Sequence, residues 1–277
     1  MNMKLTAKSQ EFCRWADEKE RNIPKISDDL HIEISDINHI RFNEIQKIKE
    51  NLKLYNCCIY SSSTELQSND NLLALARLIG MNTYDASNIH SSAISTITFN
   101  KNSDIPYIPY TNKALNWHTD GYYDEKEIFS WLLHCVEPAN TGGDNYFMDH
   151  ELVMREYILK YDNIDILTNK DAFIIPGNKL VSRPNISSYI FSFDNKYNKL
   201  HMKFSMRKEN IDYNRHVACA IKNLKEIIEK DCKKYCLTYR LSKNEGIISN
   251  NILHGRNSYN DDKIKRKLLR IRSYERI

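Results

Sequence analysis

A chain of 277 residues with 41% hydrophobic side chains and a formal charge of only +4 holds enough apolar matter for a sizeable core, and β-sandwich or barrel domains reach this length as single units. So small a charge, with no basic run interleaved with aromatics, argues against nucleic acid as a partner. No apolar stretch approaches the roughly 20 residues of a membrane span, and Met1 to Arg14 lacks the apolar core of a signal peptide, so no membrane partner and a cytoplasmic location are expected. Seven cysteines without paired C-x-x-C spacing exclude a disulfide framework and a structural zinc site. Cys57-Cys58 and Cys232 with Cys236 read as free thiols of a reducing compartment.

In chain order, apolar residues at Ile37, Ile40, Ile45, Ile48 and Leu52 fit a helix opened by Asp36, and Leu72 to Ile79 fits another that stops at Gly80. The N-terminal third, to about residue 90, is therefore expected to be mostly helical. Strand-like segments follow at Ala93 to Phe99, Ile128 to Val136, Ala172 to Ile175, Tyr189 to Phe193, Leu200 to Phe204, Leu237 to Leu241 and Lys267 to Tyr274. One amphipathic helix carrying Val217, Ile221, Leu224 and Ile228 interrupts them. No repeat, low-complexity tract or Gly/Pro-rich linker divides the chain, so residues 1–277 read as one α+β domain with a strand-rich core over about 91–277. Many short strands flanked by helices suggest two sheets packed face to face, with helices bracing one outer side. Pro106 and Pro109 mark an approach loop, and Asn178 to Asn185, containing Pro184, a second loop that could form a lid.

The chemistry gathers around His118-Thr119-Asp120. Two neutral imidazole nitrogens and one carboxylate on a triangular face leave the opposite face open for a chelating co-substrate and O2, the arrangement of non-haem Fe(II) oxygenases. Residues i and i+2 of a strand point to one side, so His118 and Asp120 can reach one metal from one extended segment. A third ligand must come from another strand, and His254, in His254-Gly255-Arg256, is the candidate. A His-x-acid triplet alone is weak, because nine histidines supply such matches by chance. His31-Ile32-Glu33 is one: it lies in a polar, helix-like stretch with no glycine turn or basic strand to complete a site. His150-Glu151 begins like a zinc-protease helix, but Met154 stands where the second histidine belongs. His134, His201 and His216 read as structural, and Arg183 and Arg207 as surface or structural residues.

The context is more specific than the triplet. Asn116-Trp117-His118-Thr119-Asp120-Gly121 precedes the apolar run Ile128 to Val136, then Thr141-Gly142-Gly143-Asp144-Asn145. Far downstream, Asn250-Asn251-Ile252-Leu253-His254-Gly255-Arg256 leads into Arg266-Lys267-Leu268-Leu269-Arg270. Over about residues 105–277 the sequence resembles the taurine dioxygenase (TauD/TfdA) family of Fe(II)- and 2-oxoglutarate-dependent oxygenases, whose kin include clavaminate synthase and asparagine oxygenase. The resemblance implies a double-stranded β-helix, or jelly roll, with His118, Asp120 and His254 as metal ligands. It puts Arg266 on the distal carboxylate of 2-oxoglutarate, a task suited to a planar, always-charged fork. Arg270 falls where the family has a second arginine contacting either the co-substrate or an anionic substrate group. Strand alternation places Arg266, Leu268 and Arg270 on one face and Leu269 and Ile271 on the other. Asn145 stands where relatives commonly carry a threonine that bonds the same carboxylate; its amide can donate too.

The implied activity is hydroxylation or desaturation of an unactivated carbon of a small, anionic or amino-acid-like substrate, with O2 consumed and succinate and CO2 released. A non-catalytic jelly roll that senses or binds a ligand is the alternative, and a zinc hydrolase a lesser one, since it leaves Arg266 and Arg270 unexplained. Read without the family, Arg266, Arg270, Arg272 and Arg276 with Lys263, Lys265 and Lys267 are a solvated basic strand or a surface for acidic partners. The expected partner is a small-molecule substrate, and the reading admits a homo-oligomer.

Overall fold

A computed structural model describes residues 6–85, 93–99, 108–177, 184–194, 196–197, 199–207 and 211–277. Among the described residues five α-helices are formed: α1 (Gln10–Arg21), α2 (Phe42–Tyr55), α3 (Asn69–Ile79), α4 (His150–Tyr161) and α5 (Ala218–Glu229). The strands are β1 (His31–Ile34), β2 (Cys57–Ser62), β3 (Ile94–Thr98), β4 (Leu115–His118), β5 (Ser130–Glu137), β6 (Thr141–Gly142), β7 (Asn145–Met148) and β8 (Phe173–Ile175). They continue with β9 (Ile186–Ser188), β10 (Phe191–Asp194), β11 (Lys199–Met202), β12 (Leu237–Tyr239), β13 (Glu245–Ser249), β14 (Leu253–Arg256), β15 (Tyr259–Asn260) and β16 (Lys267–Ser273).

A large sheet in the order β1-β2-β13-β5-β16-β3 faces a smaller one in the order β12-β7-β14-β4. Between them Ile97, Trp131, Cys135, Ile247 and Leu268 of the large sheet meet Phe147 of the small one and Ile252. Under the large sheet, Leu132, Ile248, Leu269 and Ile271 pack on Ile45, Ile48 and Leu52 of α2 and Leu72, Leu75 and Ile79 of α3. Each such side chain, fully buried, contributes roughly 1.5–3 kcal/mol. Outside the small sheet, Met148 and Leu253 join Phe12 of α1, Leu152 and Tyr157 of α4, and Leu224 and Ile228 of α5. Helices therefore brace both outer sides, not one, because each sheet has an apolar outer face that needs cover.

The N-terminal third departs from expectation in two further ways. His31-Ile32-Glu33 is a strand, not helix-like: Ile32 and Ile34 turn inward while Glu33 stays exposed, and β1 pairs in parallel with β2. Its polar look was the outer face of a period of two. Asp36 opens no helix, because its carboxylate accepts from the Asn38 N–H (3.0 Å) and the Thr64 hydroxyl (2.6 Å) and so closes a turn. The helix begins at Phe42, where the Glu44 carboxylate reaches back to the Arg41 N–H (2.8 Å). Helix α3 ends as read, at Gly80 with φ of 116°. All seven cysteines are free thiols, and among the described residues no helix is long and apolar enough to cross a membrane.

Candidate active site

Strand pairing assembles the site. His118 ends β4, and His254 on β14 is its direct cross-strand partner. Thr119 points away, fully buried, its hydroxyl accepting from the Phe204 N–H (3.1 Å), so His118 and Asp120 turn to the space between the sheets. One ligand atom from each of His118, Asp120 and His254 lies within 4.8 Å of the others. His118 Nε2 is 3.5 Å and His254 Nε2 3.7 Å from the same oxygen, Asp120 Oδ1. Each imidazole bonds a backbone carbonyl two residues upstream through Nδ1: His118 to Asn116 O and His254 to Ile252 O, both at 2.9 Å. That bond fixes the tautomer with the proton on Nδ1 and leaves the Nε2 lone pair facing inward, as a metal ligand requires. Burial, then the neighbouring His254, hold the His118 pKa low, so its neutral form is favoured. Burial works against ionising Asp120, yet the Arg270 charge carries its carboxyl well below the usual range.

Arg266, Leu268 and Arg270 line the same cavity, with Asn145, Phe147, Leu133 and Ile247. Leu269 and Ile271 face the helices instead, as alternation requires. Arg270 Nη1 donates to Asp120 Oδ2 (3.4 Å), leaving Oδ1 to the histidines, while its buried Nε has no hydrogen-bond partner. Arg266 is 4% exposed and its Nη1 is likewise buried and unpartnered. An unmade buried bond costs about 1–3 kcal/mol, more for a charged group, which an anionic ligand would relieve. A divalent metal on the triad and a dicarboxylate reaching Arg266 thus fit the donor set. Asn145 sits on the cavity wall, but its amide nitrogen donates to Tyr239 O (3.4 Å).

Three contributors escaped the sequence reading. Asn251, fully buried, accepts from the Asp120 N–H (2.8 Å) and donates to Asp120 O (2.9 Å) and Ile128 O (2.6 Å). It ties the Asp120 backbone to the turn that leads into His254, and only its place beside His254 in sequence hinted at this. Trp131 lines the cavity, its ring 4.8 Å from that of His254 and its buried Nε1 unpartnered. Arg256 shares the His254 face of β14, because Gly255 between them faces Tyr146, whose ring leaves no room for a Cβ.

The basic run is not a solvated strand. Arg266, Arg272 and Arg276 are buried, Arg272 against Asp85 and Arg276 bonded to Leu200 O (3.0 Å), and only the lysines are exposed. His134 and His201 are buried in packed surroundings, whereas His216 is exposed. Arg207 is half-buried. Arg183, Pro106 and residues 178–183 of the second loop lie outside the described residues. Among those described, His31 joins no metal-ligating cluster, and Met154 packs into the core of α4.

The chain belongs to the CsiD family, whose sequence model matches residues 60–275. A uridine-5'-phosphate dioxygenase of a Streptomyces species is 34% identical over 64 residues, which is 23% of this chain and 23% of that protein, so the match spans under a quarter of the relative's length. A taurine dioxygenase of Burkholderia xenovorans shares the fold with a TM-score of 0.61 at 12% identity, over 88% of this chain and 87% of that one. An asparagine oxygenase solved with Fe(II), 2S,3S-3-hydroxyasparagine and succinate does so with a TM-score of 0.59 at 12% identity, over 96% and 92%. The architecture is therefore the jelly roll of the Fe(II)/2-oxoglutarate oxygenases, in line with the taurine dioxygenase resemblance of the sequence.

Proposed function

From this family membership and this site we propose that the protein is an Fe(II)- and 2-oxoglutarate-dependent oxygenase. The observation that carries the reading is the convergence, in one cavity, of three ligand atoms within 4.8 Å and an opposed buried guanidinium with a free N–H. His118, Asp120 and His254 hold the iron and Arg266 takes the distal carboxylate of 2-oxoglutarate. Bound together, iron and 2-oxoglutarate activate O2 with release of succinate and CO2, and so supply the oxidising power for an unactivated C–H bond.

The chain's own part is positional. Backbone carbonyls at Asn116 and Ile252 hold the two Nδ1–H groups, so neither ring must reorient on binding. Arg270 occupies one carboxylate oxygen of Asp120 and keeps the other for the metal. Leu133, Phe147, Ile247 and Leu268 keep the cavity dry, which strengthens the Arg266–carboxylate attraction and limits side reactions. Asn145, released from its long bond to Tyr239, adds a second donor to that carboxylate.

Arg270 Nε, still unpartnered, suits an anionic group of the substrate. A small anionic or amino-acid-like molecule accords with the hydroxyasparagine of the asparagine oxygenase and with the phosphate in the Streptomyces relative's name. We read residues 1–277 as one catalytic domain, because β1 and β2 of the N-terminal part complete the large sheet, and place it in the cytoplasm without nucleic-acid or membrane partners.

Anaerobic titration of the apo-protein with Fe(II) and 2-oxoglutarate tests the reading. A weak visible charge-transfer band is expected in the wild type, lost in His118→Ala and weakened in Arg266→Ala. Metal binding with no such band, and no succinate released in air, would instead favour a ligand-binding protein.

A further inference from the structure

Arg266 has no hydrogen-bond partner at its buried Nη1, and its guanidinium packs against an aromatic ring whose hydroxyl also engages its charge. The ring is Tyr259: the Arg266 guanidinium carbon lies 5.0 Å from its centroid, and that of Arg256 lies 4.8 Å from it. All three residues are at most 5% exposed. Cation–π attraction is strongest where both partners are desolvated, and two guanidinium groups brought this close would otherwise repel. Burial, and then the Arg266 charge, lower the Arg256 pKa.

The ring is fixed from two sides. Tyr259 N–H donates to Asn112 O (3.1 Å), and Arg256 Nη2 donates to Thr111 O (3.0 Å) and Lys113 O (2.6 Å), binding both residues to the segment before β4. On the other side β15 pairs with β6, Tyr259 opposite Gly142. Gly142 and Gly143 have φ of 70° and 78°. A Cβ on Gly142 would lie 2.4 Å from Ser258 O, and one on Gly143 3.4 Å from Tyr259 Cβ and 3.7 Å from Arg266 Nε. The left-handed backbone at both glycines, and the close approach of Gly142 to Ser258, therefore let the turn pack directly beside Tyr259 and Arg266.

We propose that Tyr259 is a positioning residue for Arg266: its ring, braced by Arg256, holds the guanidinium in the cavity with Nη1 free for a carboxylate, so affinity for 2-oxoglutarate depends on the aromatic face. Tyr259 does not itself line the cavity; it acts through Arg266. The proposal rests on the co-substrate role given to Arg266 above.

Isothermal titration of 2-oxoglutarate into Mn(II)-loaded protein, beside Mn(II) affinity measured alone by electron paramagnetic resonance, tests it. Tyr259→Leu should weaken 2-oxoglutarate binding on the order of tenfold, within the range of a desolvated cation–π contact. Tyr259→Phe, which keeps the ring and removes the hydroxyl that also engages Arg266, should stay within about twofold of wild type, and Mn(II) affinity should not move in either; a Phe variant as weak as the Leu variant would assign the hold to the hydroxyl and overturn the role of the ring. Should Tyr259→Leu not fold, Tyr259→Met offers similar bulk without a ring and carries the same expectation. A folded Leu or Met variant that binds 2-oxoglutarate like wild type overturns the proposal while leaving the role of Arg266 intact, as does a parallel loss of Mn(II) affinity. Wild-type protein that binds Mn(II) but not 2-oxoglutarate overturns both.

Discussion

His31-Ile32-Glu33 and His118-Thr119-Asp120 have one form and similar settings: each begins on, or ends, an edge strand of a sheet. What separates them is the neighbouring chain. Beside β1 runs β2, which offers Ile59 opposite His31 and Ser61 opposite Glu33, and Glu33 is left exposed. Beside β4 runs β14, which sets His254 directly against His118, and the turn before β14 delivers Asn251 to the Asp120 backbone. A triplet offers two donor side chains; the strand next to it decides whether a third joins them, and whether all are buried enough to hold their geometry.

That contrast can be sharpened by substitution. The largest effect is expected at the triad: Asp120→Ala or His118→Ala should lower Fe(II) or Mn(II) affinity by more than about 100-fold, beyond the losses typical of outer-sphere changes, as read by metal titration. Next comes Asn251→Ala, which touches no metal. It should cost on the order of 10- to 100-fold in metal affinity and roughly 2–4 kcal/mol in denaturant unfolding, since three bonds in a buried place are lost. An Asn251→Ala protein with wild-type metal affinity would break the claim that the neighbouring turn sets the Asp120 geometry.

A third histidine separates burial from ligation. His134, 1% exposed and within 3.0 Å of the Tyr60 hydroxyl, has its pKa pushed down by burial to about 4. In the unfolded chain it titrates near 6.5, so as pH falls below that value the unfolded state takes up the proton first and stability declines. This group alone should remove about 2 kcal/mol by pH 5. His134→Gln should flatten that part of the pH dependence of unfolding and leave metal binding unchanged. The smallest effect belongs to the other triplet. His31→Ala should not alter metal affinity and, at a half-buried position beside the Tyr239 ring, should shift stability by no more than about 1 kcal/mol; a measurable loss of metal would make the two triplets equivalent after all.

Local chemistry was readable where the period of the side chains matched the element. Alternation put Arg266, Leu268 and Arg270 on the cavity face and Leu269 and Ile271 on the helix face, and Gly80 marked the end of α3. It failed where a polar side chain had two uses. Asp36 could cap a helix or close a turn, and the presence of Thr64, distant in sequence, chose the turn. The arginines and lysines of 263–276 carry the same charge, yet Asp85 draws Arg272 inside while Lys263 and Lys265 stay in solvent.

By itself, the sequence determined the donor types of the proposed site, the two-residue spacing that aims His118 and Asp120 together, and the alternation that turns Leu268 and Arg270 to one side, because all of these are local properties of an extended chain. Tertiary structure alone decided that His254 meets His118 across β4 and β14, that Asn251 locks Asp120, and that Tyr259 and Arg256 stand behind Arg266. Those contacts join segments up to about 150 residues apart, and sheet pairing, which carries no mark in either segment taken singly, is what brings them together.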